Sequence, residues 1–241
     1  MSLTRTWSRL LVGALLLIAA ALVINACGDK ARPAPSTSKA PETAQAVPGA
    51  AAAAAEFAGL QQHGEYVGNP KAPYTLVEFG DLQCPACKFY ADTTLPAVVA
   101  KFVRSGQVRL AFRAFEFVGP DSAPAAAYAW AAAKQNRLHQ FAKLWYLNQG
   151  DENSGYVTDA FAGRIAGGVA GIKVPQLIQD AKSVAVRLRV QRTSDEFKAN
   201  GFSGTPSFLF GKTGSRLESI ELGDGSPQAA VAAISGAITP S

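Results

Sequence analysis

Apolar residues along the chain fall into three regimes. The first is an uninterrupted apolar run, Leu10 to Ile24, preceded by Arg5 and Arg9. The second, residues 28–60, is rich in Ala, Pro, Ser and Thr and holds no sustained period. Its prolines favour extended, solvated chain, and the alanines from Ala50 to Ala55 suffice for a helical turn or two that is marginal by itself. The third begins near residue 61 and carries regular patterns. "YTLVEFG" (Tyr74 to Gly80) and the alternating "QVRLAFRAF" (Gln107 to Phe115) predict strands. Between them, apolar positions from Phe89 to Val103 predict a helix from Cys84 to about Ser105, with a kink or break at Pro96. Residues 120–200 predict helices: an Ala-rich one from Ser122, "LHQFAKLWYLNQ" with an apolar face, one capped by Thr158, and at least one more from Val174 to Asn200. "PSFLFG" (Pro206 to Gly211) and "RLESIEL" (Arg216 to Leu222) predict a hairpin turning at Gly211 to Gly214. Ser226 and Pro227 then open a closing helix.

The predicted order is strand, helix, strand, a helical block, two strands and a helix. A strand–helix–strand start implies a parallel pair, and the terminal hairpin adds antiparallel strands. The fold class is α/β.

Composition narrows the function classes. Residues beyond the first 60 carry 18 basic and 15 acidic side chains, a surplus too small and too scattered for a nucleic-acid surface. Three cysteines and two histidines are too few for a zinc-rich or disulfide-stapled protein.

The apolar run at the start is short for a spanning helix, which needs about 20 residues, and suits the core of a secretory signal. It ends in "INAC", which resembles the lipobox of bacterial lipoproteins and would place a lipid on Cys27. The small or branched residue usual in that pattern is replaced by Asn25. An uncleaved anchor or plain cleavage near Ala26 are the alternatives. Each puts the remaining chain outside the cytoplasm. Lipidation of Cys27 would leave the exported part with Cys84 and Cys87 alone, hence no odd thiol. Residues 1–27 are thus expected to be signal or anchor, 28–60 a tether and 61–241 the domain.

"GDLQCPACKFY" is the chemical centre of the sequence. Cys84 and Cys87 could be half of a zinc site, a structural staple or a redox pair. Zinc needs four ligands, and His63 and His139 are the only other candidates. A permanent bridge over so small a loop would constrain the unfolded chain little. A redox pair fits the position. Cys84 lies where a strand gives way to a helix, whose free N–H groups and dipole favour thiolate. Pro85 suits the first turn, where no donor is needed. Cys87 returns beside Cys84 after one turn and would resolve a mixed disulfide. Glu78, on the strand before the motif, is either a buried carboxylate that relays the proton of Cys87 or an edge-exposed strand residue. Thr205–Pro206 is either a cis turn that leaves backbone groups beside the cysteines for an extended substrate, or a trans proline opening an edge strand.

With these residues together, "TLVEFGDLQCPACKFY", the Thr205–Pro206 loop and the intervening helical block resemble the DsbA-like branch of the thioredoxin superfamily, over residues 64 to 240. The resemblance implies a thioredoxin-like fold with a helical subdomain, about residues 118–201, inserted between the second core strand and the cis-proline strand. It implies an attacking Cys84, a resolving Cys87, a cis Pro206 and a buried acid at Glu78. It also implies disulfide exchange outside the cytoplasm without a cofactor. The partners implied are exported cysteine-containing proteins and a membrane redox partner, either a quinone-linked oxidase or a transmembrane electron donor. Two positions depart from the strong oxidases of the family: Ala86 stands in place of a histidine, and Thr205 in place of a valine. Both leave the direction of electron flow open among oxidase, reductase and isomerase. A non-redox binding or chaperone domain is the further alternative.

The remaining chemistry-bearing residues carry bland expectations. His63 precedes the first strand, and His139 is expected on a solvent-facing helix side. "GDENSG" lacks calcium-loop spacing and is expected to be a solvated connection. Trp130, Trp145, Tyr128 and Phe141 are expected to be core.

Overall fold

The computed structural model describes residues 46–238. The leader run and Cys27 lie outside the described residues, as do the first residues of the expected tether. Among the described residues no helix is long and apolar enough to cross a membrane.

The described chain opens with α1 (Ala50–Glu56), then a small hairpin of β1 (Gln62–His63) and β2 (Tyr66–Val67), then β3 (Tyr74–Gly80). α2 (Pro85–Phe89) runs through a π-helical turn (Tyr90–Thr94) into α3 (Leu95–Val98) and a second π turn (Val99–Val103). β4 (Val108–Ala114) is followed by α4 (Ser122–Lys134), α5 (Leu138–Leu147), α6 (Asp159–Gly167), α7 (Val174–Ala181) and α8 (Val184–Ala199). β5 (Ser207–Lys212), β6 (Glu218–Ser219) and α9 (Pro227–Ala237) close the domain.

The six strands form one mixed sheet in the order β1-β2-β4-β3-β5-β6. β3 runs parallel to β4, with Glu78 opposite Phe112, and antiparallel to β5, with Glu78 opposite Phe208. Paired on both edges and covered on both faces, all seven residues of β3 are buried, which explains its nearly continuous apolar sequence. Side chains alternate across the sheet. Val77 and Phe79 pack with Phe115, Phe197 and Leu209. Tyr74 and Leu76 pack on the other face with Tyr90, Phe102 and Ile234. Glu78 shares this second face, on which the helix opened by the cysteine motif lies.

The helical block α4–α8 sits between β4 and β5, as expected, and its aromatic centre Trp130, Trp145, Tyr128 and Phe141 is buried. The caps behave as predicted: Thr158 accepts from the Phe161 N–H and Ser226 from the Ala229 N–H. Pro96 does not stop its helix. The turns on either side widen to π geometry instead, which absorbs the missing donor in a bulge.

Several expectations are corrected. The tether does not extend to residue 60, because Val47, Ala53 and Phe57 are buried in the core and α1 packs against α5. Marginal alone, the alanine run is held by its tertiary contacts. The last strand shrinks from residues 216–222 to Glu218–Ser219, since only Leu209 and Phe210 of β5 pair with it. The β1–β2 hairpin went unpredicted, its strands being too short to show a period. His139 does not face solvent. It is buried, with Nε2 donating to the Glu65 carbonyl at 2.8 Å.

Candidate active site

Cys84 is the N-cap of α2, with extended backbone (φ −70°, ψ 122°) and Pro85 at the first helical position. Its Sγ accepts from the Cys87 N–H at 3.4 Å, doing for the helix what a serine or aspartate cap does elsewhere. Cys84 and Cys87 are free thiols. Cys84 retains 7% of its surface and Cys87 none, so only Cys84 can meet an external disulfide.

The electrostatics separate the pair. The Cys84 thiol is lowered to about 6, first by the Cys87 thiol, which donates to it, then by the Thr205 side chain and the backbone N–H groups of Cys87 and Ala86, with burial opposing. Cys87 is pushed well up, mainly by burial and further by Cys84 and Glu78. Two neighbouring thiols thus titrate far apart, Cys84 shifted down and Cys87 shifted up.

Behind the pair, Glu78 is 2% exposed, which excludes the edge-exposed alternative. Its carboxyl is raised to about 8, first by burial and then by the charges of Cys84 and Glu56. A carboxyl ionising near 8 is matched to exchanging a proton with a thiol. Opposite Cys84, the Thr205–Pro206 bond is cis. The Cys84 thiol points at the Thr205 carbonyl, Sγ to O 3.6 Å. The Thr205 hydroxyl adjoins the same sulfur. It lies near enough to favour the thiolate, yet it is buried without a partner at hydrogen-bonding geometry, and the carbonyl takes the contact instead.

Several groups that position the motif were not foreseen. Gln83 is buried and bridges to the helical block: its Nε2 donates to Ser122 Oγ at 2.9 Å, and its Oε1 accepts from the Asn153 N–H at 2.8 Å. The exposed "GDENSG" loop is therefore also a strut of the cysteine loop. Trp145 Nε1 donates to the Leu82 carbonyl and Tyr146 Oη to that of Asp81. A buried ion cluster lies deeper. Lys143, 6% exposed, faces Glu56 at 3.3 Å and Asp92 at 3.2 Å. Lys143, His139, Tyr146 and Glu78 line one small internal cavity. The signal in the sequence was the spacing of His139, Lys143 and Tyr146, four and three residues apart on one face of α5. It reads as a polar outer face until α1 and the β1–β2 hairpin cover it.

A concavity of about 570 Å³ between the β1–β2 hairpin and α8 is lined by Trp130, Tyr66 and Arg189 among others and includes neither the cysteine motif nor the cis-proline loop. A smaller groove of about 300 Å³ does adjoin the motif, through Ala86 on one side and Pro206 on the other.

A family model described as thioredoxin matches residues 61–218, so the chain belongs to the thioredoxin family. Within it the chain falls among the DsbA-like thiol–disulfide oxidoreductases. It is 31% identical to the probable disulfide bond formation protein D of Bacillus cereus over 144 residues, 58% of this chain and 67% of that protein. It is 27% identical to disulfide bond formation protein D of Bacillus subtilis over 143 residues, 58% of this chain and 64% of that protein. The chain thus spans about two thirds of the length of these relatives. Among solved structures, oxidised BdbD from Bacillus subtilis superposes with a TM-score of 0.63 at 23% identity, covering 73% of this chain and 95% of that one. A thioredoxin-like oxidoreductase from Silicibacter pomeroyi superposes with a TM-score of 0.55 at 26% identity, covering 73% and 92%.

Proposed function

We propose that this protein oxidises cysteine pairs in exported proteins outside the cytoplasm. The observation that carries this reading is the Cys84 thiol, lowered to about 6 on a residue that keeps 7% of its surface, beside a cis Thr205–Pro206 turn with Cys87 and Glu78 more deeply buried. In the oxidised protein, a substrate thiolate attacks Cys84 and displaces Cys87, giving a mixed disulfide. Glu78 supplies the proton that Cys87 takes up on leaving. The second substrate thiolate then attacks its bonded partner, releasing Cys84 as the stabilised thiolate. Two electrons pass from the substrate dithiol to the protein disulfide, and a membrane-bound oxidant, quinone-linked, restores the disulfide. The backbone groups beside Pro206 hold the substrate in extended form. The N-terminal signal, with lipid on Cys27 or an uncleaved anchor, keeps the domain at the outer face of the membrane.

Reductase or isomerase action is the second reading, favoured by Ala86, which offers no imidazole to the thiolate, and by Thr205 before the proline. The test is trapping. In cells carrying Cys87→Ala, disulfide-linked adducts of exported proteins are expected on Cys84, while the native pair is found mostly oxidised. A mostly reduced native pair shifts the assignment to reductase or isomerase. Absence of adducts, with cellular function intact in Cys84→Ala, would leave only a non-redox binding role.

A further inference from the structure

The groove beside the motif has a composition that the exchange chemistry does not require. Its floor is Tyr90 against Phe208, ring centroids 4.9 Å apart, with Leu222 buried beneath. Phe89 stands on its rim with 56% of its surface exposed, although aromatic side chains of this size are ordinarily covered. The far lip is the segment Glu221–Gly225, held against the helix by a hydrogen bond from Thr94 Oγ1 to the Gly225 carbonyl. Gly223 and Gly225 both have positive φ, and a Cβ on Gly223 would meet Ala229 at 2.5 Å, so the lip is tightly shaped. Two carboxylates stand on it. Glu221 is exposed, with neither an ion pair nor a hydrogen bond among the described residues, and Asp224 Oδ1 accepts from the Ser226 N–H at 2.9 Å. No residue lining the groove is basic, and the nearest lysine in the motif, Lys88, is paired with Asp92.

We infer that this groove selects extended substrate segments in which the reacting cysteine is flanked by an apolar side chain and by a lysine or arginine. The apolar side chain lies on Tyr90, Phe208 and Phe89, and the cationic head meets Glu221 and Asp224. The inference rests on the thiol-exchange reading and names its substrate class. Ala86 and Pro206 belong to the groove and also flank Cys84, so a segment joined to Cys84 has the groove next to it. Opposite charges on so exposed a lip interact weakly and are screened by salt, so a several-fold preference is the expected scale.

Three dithiol peptides test this, identical except for Lys, Gln or Glu beside the apolar residue that flanks the reacting cysteine. The protein, oxidised at Cys84–Cys87, takes two electrons and two protons from each peptide, leaving a peptide disulfide and a protein dithiol. At low ionic strength kcat/KM for the Lys peptide is expected to exceed that for the Glu peptide about three- to tenfold, and the ratio should fall toward one in high salt. A lysine also makes the peptide's own thiol more acidic. That effect is the same for any protein, so the decisive quantity is the change in the ratio for Glu221→Gln/Asp224→Asn. Asn retains an oxygen for the Ser226 cap, and an unchanged Tm and an unchanged rate with the Gln peptide verify that the fold and the exchange chemistry survive. Collapse of the Lys-to-Glu ratio in this variant supports the inference. The same ratio in both proteins overturns it and leaves the exchange reading standing. Failure to oxidise any of the three peptides overturns the exchange reading and this inference together.

Discussion

Glu78 couples the chemistry of the site to the stability of the domain. Its carboxyl is raised from 4.5 to about 8. The folded protein therefore holds a proton there that the unfolded chain gives up above about 4.5. This contribution is complete below pH 4.5 and is lost as pH rises through 8. His139 works in the opposite sense. Burial lowers it from 6.5 to about 4, so its contribution is present above 6.5 and is lost as pH falls through 4. Below 6.5 the two groups oppose each other, and Glu56, also raised by burial, adds to the Glu78 side. Between pH 6.5 and 8 His139 no longer opposes Glu78. In a Cys84→Ala/Cys87→Ala background, which removes thiol titration and keeps the burial that dominates the shift, unfolding free energy from urea titrations should fall with pH. The slope is about 1.4 kcal/mol per unit, about 2 kcal/mol over this window. Adding Glu78→Gln should flatten it. A slope that survives Glu78→Gln would mean that the carboxyl is not buried in its neutral form.

Among the helices, α1 was the least legible. Its alanines show neither period nor cap, and Gly49 before it makes no side-chain cap bond. What fixes it is Phe57, fully buried at its end, and Glu56, which meets Lys143 of α5 inside the domain. Lys143 also donates to the Ala91 carbonyl at 2.5 Å, so one cation joins α1, α5 and the helical run that follows the cysteines. Breaking such a cluster strands buried charge. Lys143→Met is expected to destabilise the domain by about 3–5 kcal/mol, because the buried Glu56 loses its ion-pair partner while Asp92 keeps only Lys88. Lys143→Met/Glu56→Gln should recover part of that loss in a chemical denaturation series. Equal stability of the single and double variants would show that Glu56 does not depend on the lysine. By contrast α6, α9 and the cysteine helix were legible at their starts, because Thr158, Ser226 and Cys84 each cap within three residues of themselves.

For the whole molecule, the open quantity is the direction of electron flow. A Cys84 pKa of about 6 lies between about 7 for thioredoxin and about 3.5 for DsbA. A less stabilised thiolate makes a weaker oxidant. The reduction potential of the Cys84–Cys87 pair is therefore expected between about −270 and −120 mV, nearer the former, when equilibrated with glutathione buffers. A value at or below about −270 mV would rule out the oxidase reading, since so stable a disulfide would not be passed on to substrates. No single residue sets this value: Cys87 and the N-terminus of α2 act on the sulfur from its own helix, and Thr205 acts on it from the loop before β5.

The sequence by itself determined the order of strands and helices from β3 onward, the cysteine pair at a strand-to-helix junction, and the threonine–proline step that opens β5. These are properties of neighbouring residues: a period of two or 3.6, a cap within one turn, a proline that cannot donate. Tertiary structure alone decided which polar groups are buried. His139, Lys143 and Glu56 look solvent-bound in the chain, and they are inside because segments distant in sequence cover them. It also decided that Glu221 and Asp224 share a groove with Phe89, more than 130 residues earlier in the chain. Burial and juxtaposition depend on what folds over a residue, and no local pattern encodes that.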